Sequence, residues 1–315
     1  MRHSAKIFGF RNKDAERFPQ MVVVAMSFIC NARCIHCPNA ATGFKATLKG
    51  SDRLMSWEVL RQITEQCAVH PTLMRISSFG EILMHPEAID MICYILDKKK
   101  DKNVALTTNG SLLTAEKARQ IMENGIRSIE FSVDAASRDI YEKIRVGLSW
   151  RDTLENIIEC VEVRNQNNYR TKIMVSVIEQ PANERMIEDI LSFWNERVDK
   201  VLLRKMLSFK GIIKRPDHYQ GYMQAGTPCP FLWERLVVDP LGDVRGCVSD
   251  LKAELNIGNI MKTGLDKIWH APLMEFYRKK HLSGKITDCP LCKDCVDLPY
   301  RSWNYNYFSA LDEDI

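Results

Sequence analysis

The sequence predicts an α/β fold made of repeated βα units, followed by a smaller domain near the C-terminus. Apolar, strand-like runs alternate with amphipathic helical stretches over the first two-thirds of the 315 residues, a pattern typical of a parallel sheet covered by helices. After residue 210 this alternation ends in irregular chain that contains Pro216, Gly221, Gly226 and Pro228. We therefore expect one domain over residues 1–210 and a second over residues 211–315.

Six βα units fit before residue 210. The predicted strands are 21–28, 73–78, 103–108, 128–133, 172–178 and 198–203, and the predicted helices are 57–68, 86–98, 114–124, 152–165 and 183–195. Ser56 is the expected N-cap of the first helix, in which Val59, Leu60 and Ile63 share one face. In the fourth strand the apolar residues alternate onto one face.

The composition is that of a globular protein with a large core. Hydrophobic residues make up 45% of the chain, and the net charge of +4 is too small to indicate a nucleic-acid partner. The sequence has no run of about 18 apolar residues and no apolar signal-peptide core at its N-terminus, so we expect a cytoplasmic protein without a membrane partner. In a reducing compartment its eleven cysteines are expected to be metal ligands and buried thiols.

Cys30, Cys34 and Cys37 follow the first predicted strand with the spacing CxxxCxxC. Three thiolates at this spacing suit one cuboidal iron–sulfur cluster and leave one iron open. A metal centre with an open position can bind and activate another molecule, whereas a fully ligated centre is typically structural.

This motif resembles that of the radical S-adenosylmethionine (radical SAM) superfamily. The resemblance implies a [4Fe-4S] cluster whose open iron is chelated by S-adenosylmethionine (AdoMet), and a flavodoxin- or ferredoxin-type electron donor. It also implies reductive cleavage of AdoMet to methionine and a 5'-deoxyadenosyl radical, which abstracts hydrogen from a substrate. The implied fold is a partial (β/α)6 TIM-type barrel with its site at the carboxyl ends of the strands.

The resemblance also covers the segments around the cluster motif. His36 stands where the family usually has an aromatic residue against the adenine, and its imidazole is expected to take that place. Phe79, Gly80 and Glu81 resemble the GGE motif, with Phe79 in place of the first glycine. By this resemblance the backbone and the Glu81 carboxylate receive the ammonium group of AdoMet, a charge-assisted contact. The alternative for Glu81 is a solvated loop carboxylate.

Three further positions match family motifs at the ends of later strands. Asn109 lies in a Thr-Asn-Gly segment, Ser132 lies in an S-x-D segment, and Arg145 is where relatives pair an arginine with the AdoMet carboxylate. The alternatives are an ordinary turn, a surface hydrogen bond and a helix-end charge, respectively. Arg204 and Lys205, near the end of the sixth strand, are weaker candidates for substrate contact.

A second cysteine set follows residue 210, where 236–244 is expected to form a β-hairpin. The order Cx12Gx4C followed by CxxCxxC resembles the auxiliary-cluster extension called SPASM, or its shortened form, twitch. The resemblance implies one auxiliary [4Fe-4S] cluster, with Cys229, Cys247, Cys292 and Cys295 as the expected ligands. Cys289 has the same spacing to Cys292 and stays an alternative ligand, and a structural zinc site is the alternative to the cluster.

The aromatic segment 300–308 is expected to pack over the auxiliary cluster, with a substrate lid or a partner surface as alternatives. Apolar shielding of this kind helps to set the potential of an iron–sulfur cluster.

Three functional hypotheses follow. In the first, the enzyme acts on a small polar substrate such as a sugar, aminocyclitol or aminoglycoside. Dehydrogenation is preferred, because a single auxiliary cluster can collect the second electron, as in aminocyclitol dehydrogenases of the family. Epimerisation is the alternative, in which Cys289 is the catalytic thiol that returns a hydrogen atom.

The second hypothesis is modification of a ribosomally made peptide. It is disfavoured because the cluster motif begins at Cys30, without room for the N-terminal peptide-binding domain that such enzymes often carry. The third is a non-catalytic iron–sulfur carrier or a zinc-bound interaction protein. The open-iron triplet and the Glu81 and Arg145 positions argue against it.

Overall fold

A computed structural model describes residues 8–42, 50–77, 79–216, 226–303 and 307–312. In this part of the chain nine strands form one mixed sheet. They are β1 Met21–Val24, β2 Leu73–Ile76, β3 Val104–Thr108, β4 Ser128–Ser132, β5 Lys172–Glu179, β6 Lys200–Lys205, β7 Arg235–Val238, β8 Asp243–Arg245 and β9 Asn256–Asn259. Their order across the sheet is β6, β5, β4, β3, β2, β1, β7, β8, β9.

Strands β1 to β6 are parallel to their neighbours, and a helix follows each of the first five. The helices are α1 Lys13–Arg17, α2 Pro38–Thr42, α3 Trp57–Ala68, α4 Ala88–Lys98, α5 Ala115–Glu123, α6 Arg138–Ile144, α7 Trp150–Gln166, α8 Ile187–Asn195, α9 Leu265–Trp269, α10 Pro272–Leu282 and α11 Tyr307–Asp312. None of the described helices is both long and apolar enough to cross a membrane. The architecture is an α/β partial barrel, as predicted.

Hydrogen bonds explain where helix α3 begins and where strand β1 ends. Helix α3 has the predicted bounds, and the Ser56 side chain accepts a hydrogen bond from the Val59 amide at its N-terminus. Strand β1 ends at Val24, four residues earlier than predicted. Beyond it, the Phe28 amide donates to the Arg53 carbonyl at 2.9 Å, so this segment pairs with a different stretch of chain and leads into the cysteine loop.

The two faces of the sheet are covered differently. The outer face packs against the helices and includes Ile129 and Phe131, which share a face as the alternation in the fourth strand predicted. The inner face packs against α11, from which Tyr307, Ala310 and Leu311 contribute. This helix comes from the end of the aromatic segment, so the expectation that the whole segment covers the auxiliary cluster is wrong for Tyr307.

The predicted hairpin forms from β7 and β8, and it is part of the same sheet. Strand β7 pairs in parallel with β1 and antiparallel with β8. In the turn, one oxygen of Asp239 accepts from the Leu241 and Asp243 amides, and the other lies 2.7 Å from Arg245. Gly242 has a φ of +80°, a conformation that glycine adopts without a steric penalty. The hairpin therefore extends the barrel sheet, and the boundary expected at residue 210 stays a prediction.

Candidate active site and auxiliary cysteine site

A cavity of about 330 Å³ opens at the carboxyl ends of the parallel strands. We call it the large cavity, and its size is within the usual range for small-molecule sites. Its lining includes all ten residues that the sequence placed at the first cluster and its AdoMet. These are Cys30, Cys34, Cys37, His36, Phe79, Gly80, Glu81, Asn109, Ser132 and Arg145. Arg204 and Lys205 line the same cavity.

The cysteine loop is fixed by backbone hydrogen bonds to the segment after α6. The Arg33 amide donates to the Val146 carbonyl at 2.7 Å, and the Ile35 amide donates to the Ile144 carbonyl at 3.0 Å. Burial raises the pKa of the Cys34 thiol above its ordinary value, and the nearby guanidinium of Arg145 offsets only part of this rise. Because a thiol ionises when it binds a metal, this loop of three cysteines suits iron ligation.

The Phe79–Glu81 loop packs directly on the chain that enters the cysteine loop. A Cβ on Gly80 would lie 2.4 Å from the Ile29 carbonyl oxygen, so only glycine fits there. Phe79 has a φ of +49°, in the left-handed region where glycine is favoured. The backbone at Phe79 thus has the conformation suited to the glycine that the GGE motif has at this position.

Glu81 is buried, and its carboxylate already accepts three hydrogen bonds. The donors are the Leu83 amide at 3.1 Å, the Thr108 hydroxyl at 2.7 Å and the Asn109 amide at 2.8 Å. Burial raises the pKa of Glu81, and these hydrogen bonds act in the opposite direction. A carboxylate has about four acceptor positions, so one remains for a cation in the cavity.

Arg145 reaches the cavity as half of a buried ion pair. Its Nη2 lies 2.7 Å from Oδ2 of Asp134, and its Nη1 lies 3.7 Å from Sγ of Cys34. Burial works against its charge, but the Asp134 carboxylate keeps the pKa of Arg145 above its ordinary value. Sequence reasoning assigned no role to Asp134. Its position in the S-x-D segment was the available signal.

His36 is held between two polar side chains. Its Nδ1 lies 3.3 Å from Oε1 of Gln180, and its Nε2 lies 3.8 Å from Asp134. Burial lowers the pKa of His36 to about 4, so the ring is neutral at pH 7. Gln180 was missed because it lies beyond the predicted fifth strand, in no recognised motif.

The side chain of Asn109 makes hydrogen bonds to other residues of the protein. Its Nδ2 donates to Asn31 at 2.8 Å, and its Oδ1 accepts from the amide and hydroxyl of Ser111. Asn109 therefore holds the cysteine loop to the end of β3. Ser132 lies half-buried at the end of β4 and lines the cavity.

Four cysteines line a second cavity, next to the β7–β8 hairpin. They are Cys229, Cys247, Cys292 and Cys295, the expected auxiliary ligands. Cys289 is fully buried and lines neither this cavity nor the larger one among the described residues. Its position does not fit a thiol that returns a hydrogen atom to substrate.

The surroundings of the four thiols suit an anionic cluster. Burial raises the pKa of Cys229 to about 12, and the Arg301 guanidinium acts against this rise. Nδ1 of His281 accepts a hydrogen bond from the Cys229 amide at 3.2 Å, so its Nε2 carries the proton, with no partner in the described chain.

Family comparisons match both cysteine sites. The radical SAM superfamily matches residues 24–193, more than half of the chain, and the SPASM iron–sulfur cluster-binding domain matches residues 229–296. GTP 3',8-cyclase of Clostridium perfringens is 24% identical over 196 residues, covering 60% of this chain and 58% of that protein. The enzyme of the same name from Limosilactobacillus fermentum is 31% identical over 146 residues, covering 45% and 42%. The chain spans about half the length of the curated relatives it matches.

Solved structures share the fold at low identity. BtrN, a 2-deoxy-scyllo-inosamine dehydrogenase, was solved in complex with AdoMet and 2-DOIA. It is 18% identical with a TM-score of 0.60, covering 91% of this chain and 97% of that one. Streptococcus suis SuiB bound to S-adenosylmethionine is 15% identical with a TM-score of 0.68, covering 89% and 72%. The chain belongs to the radical SAM superfamily, carries a C-terminal SPASM domain, and has [4Fe-4S] clusters and AdoMet as its cofactors.

Proposed function

We propose that this protein is a radical SAM dehydrogenase of a small polar substrate, such as a sugar or aminocyclitol. Cys30, Cys34 and Cys37 hold the first cluster in the large cavity, and a flavodoxin- or ferredoxin-type protein supplies the electron. With these groups bound, cleavage of AdoMet supplies the radical that removes a hydrogen atom from the substrate.

The other residues of the large cavity position AdoMet. Glu81 has one free acceptor position for the ammonium group, and Arg145 is the candidate partner of the AdoMet carboxylate. The neutral ring of His36 can lie against the adenine without placing a second positive charge near the sulfonium. Ser132 contributes a hydroxyl at the end of β4.

The position of the thiols supports dehydrogenation over epimerisation. Among the described residues, the three cysteines of the CxxxCxxC loop are the only thiols that line the large cavity. An epimerase must return a hydrogen atom to the substrate radical, and Cys289 lies elsewhere. In dehydrogenation the substrate alcohol instead loses one hydrogen atom to the 5'-deoxyadenosyl radical, one proton to solvent and one electron, and becomes a carbonyl compound. Cys229, Cys247, Cys292 and Cys295 would hold the cluster that accepts this electron.

Turnover in deuterated water tests this proposal. The reduced, anaerobically reconstituted protein is incubated with AdoMet and a panel of sugars, aminocyclitols, aminoglycosides and peptides, and products are analysed by mass. A product about two mass units lighter than its substrate supports dehydrogenation, since two hydrogen atoms leave. A product that has gained one deuterium without oxidation would refute it and indicate epimerisation. Turnover of peptides alone would indicate peptide modification.

A further inference from the structure

A third cavity, of about 160 Å³, lies between β6, the start of β7 and the C-terminal segment. Five cationic side chains line it, and no Asp or Glu does among the described residues: the five are Arg75, Arg204, Lys205, Arg235 and Arg301. The cavity adjoins the large one, because Arg204, Lys205 and Leu207 line both. We call it the basic cavity.

Arg75 and Arg204 share one carboxylate on the inner face of the sheet. Nη2 of Arg75 and Nη2 of Arg204 each lie 3.0 Å from Oε2 of Glu130. The Arg75 guanidinium also lies over the Tyr307 ring, 4.0 Å from its centroid. The pKa of buried Glu130 is lowered, because the two arginines outweigh the effect of burial. This trio has a net charge of +1.

The arginines on the other side of the basic cavity lie over the Phe231 ring. The centroid of this ring is 4.0 Å from the Arg235 guanidinium and 4.3 Å from that of Arg301. Arg235 is paired with Glu234, whereas Arg301 donates to the Ser249 hydroxyl at 3.0 Å and has no carboxylate partner among the described residues.

The basic cavity therefore has more positive charge and more hydrogen-bond donors than its own partners satisfy. Lys205 is paired with Glu179, which leaves five cations against three carboxylates. One uncompensated charge belongs to the Arg75–Glu130–Arg204 trio. Arg301 has no carboxylate partner among the described residues, but its charge also acts on the auxiliary thiols. On each of the four arginines, Nη1 makes no hydrogen bond to any described residue.

Partly buried guanidinium groups with free donors are suited to an oxyanion. Arginine binds carboxylates and phosphates through parallel N–H donors, and these charge-assisted bonds are about twice as strong as neutral ones. A phosphate monoester has a charge of about −1.5 to −2 near pH 7, so this excess of cations attracts it more strongly than it attracts a singly charged carboxylate.

We infer that the basic cavity binds a phosphate group carried by the substrate. The inference rests on the proposed function and narrows its substrate class to an anionic sugar derivative, such as a sugar phosphate. The polar carbon skeleton would then extend past Arg204 and Lys205 into the large cavity. A polycationic aminoglycoside is disfavoured, because the net positive charge of the basic cavity would repel it.

Phosphate binding can be measured without turnover. The test titrates inorganic phosphate into reconstituted, AdoMet-bound protein at low ionic strength, by calorimetry. Arg204→Gln is expected to weaken binding about ten- to a hundredfold, and Arg204→Lys by less, because lysine keeps the charge. Glu130 keeps Arg75 as a partner in both variants, which favours folding. Arg151→Gln is the matched control, because Arg151 is exposed on α7 and paired with Glu155.

A second experiment distinguishes a site for the phosphate group of a substrate from a site for free phosphate. Each sugar of a panel is compared with its phosphate ester for stimulation of 5'-deoxyadenosine formation. Preference for the esters, with a raised KM in Arg204→Gln, supports the inference. Absence of phosphate binding, equal binding by Arg204→Gln, or preference for the unphosphorylated sugars would overturn it. If phosphate binds in the Arg204-dependent way but no sugar is oxidised, the proposed function fails and the anion site stands.

Discussion

Replacing Glu81 with Gln tests two roles of this side chain. One is to accept hydrogen bonds from neighbouring backbone amides, and the other is to bind the ammonium group of AdoMet. Glutamine keeps the shape and removes the charge. Either orientation of its amide leaves a backbone donor without an acceptor. The NH2 group faces the Asn109 amide in one orientation and the Leu83 amide in the other. An unsatisfied buried donor costs about 1–3 kcal/mol. Removing a buried charge acts in the opposite direction, so we expect the free energy of unfolding to fall by at most that amount.

The same substitution removes the charge opposite the AdoMet ammonium group. Losing a hydrogen bond between charged groups costs roughly 1.5–3 kcal/mol, so AdoMet affinity should fall about ten- to a hundredfold. Equilibrium dialysis of reconstituted protein measures the affinity, and iron analysis should find both clusters retained. Glu116→Gln, which removes an equal charge from the exposed face of α5, should bind AdoMet normally. Unchanged affinity in Glu81→Gln would refute the role of Glu81 and leave residues 79–81 as a turn only.

The pH dependence of binding adds a second check. Burial raises the pKa of Glu81, so its carboxylate takes up a proton at a higher pH than an ordinary glutamate does. AdoMet affinity of the wild type should therefore fall as the pH is lowered through this range. Glu81→Gln has no proton to gain there and should show a flatter profile. A wild-type profile as flat as that of the variant would contradict the assignment.

Three further substitutions test other parts of the account. Cys292→Ala should lower the iron content from about eight to about four per chain, whereas Cys289→Ala should keep about eight. The reverse pattern would contradict the assigned auxiliary ligands. Gly80→Ala should destabilise the fold by roughly 1–3 kcal/mol in denaturant titration, because the added Cβ would lie 2.4 Å from a backbone oxygen. Wild-type stability of this variant would show that the loop can move aside. Arg145→Gln should cost about 3–5 kcal/mol because it leaves Asp134 buried without its partner, and a loss below about 1 kcal/mol would show that the pair is dispensable.

The local pattern of the sequence predicted the elements of the barrel but not all of their ends. The alternation of Ile129, Phe131 and Val133 predicted that these side chains share one face, and that Glu130 lies on the opposite one. The assembled sheet shows that helices cover the apolar face. Nothing local could pair Glu130 with Arg75, which lies 55 positions away. The end of β1 at Val24 depends on pairing with residues 53–55, another long-range contact.

Motif spacing predicted which residues line the large cavity, whereas geometry was needed for their partners. The segments that carry Glu81 and Arg145 were recognisable, but the contacts of Asp134 with Arg145 and of Gln180 with His36 depend on the assembled strands. In the second set, Cys295 was the expected ligand, and Cys289 stayed an alternative because it has the same spacing to Cys292. The fold distinguishes them, because Cys295 lines the auxiliary cavity with Cys229, Cys247 and Cys292, whereas Cys289 is fully buried and does not line it. Helix α11 was missed because its burial depends on the assembled inner face of the sheet.

Formation of 5'-deoxyadenosine from AdoMet tests the central claim most directly. Reduced wild-type protein should convert AdoMet to 5'-deoxyadenosine and methionine. The variant with Cys30, Cys34 and Cys37 all replaced by Ala should lose this activity and about four of its eight irons, keeping the auxiliary cluster. Continued cleavage of AdoMet by the triple variant would contradict the assignment of the active site.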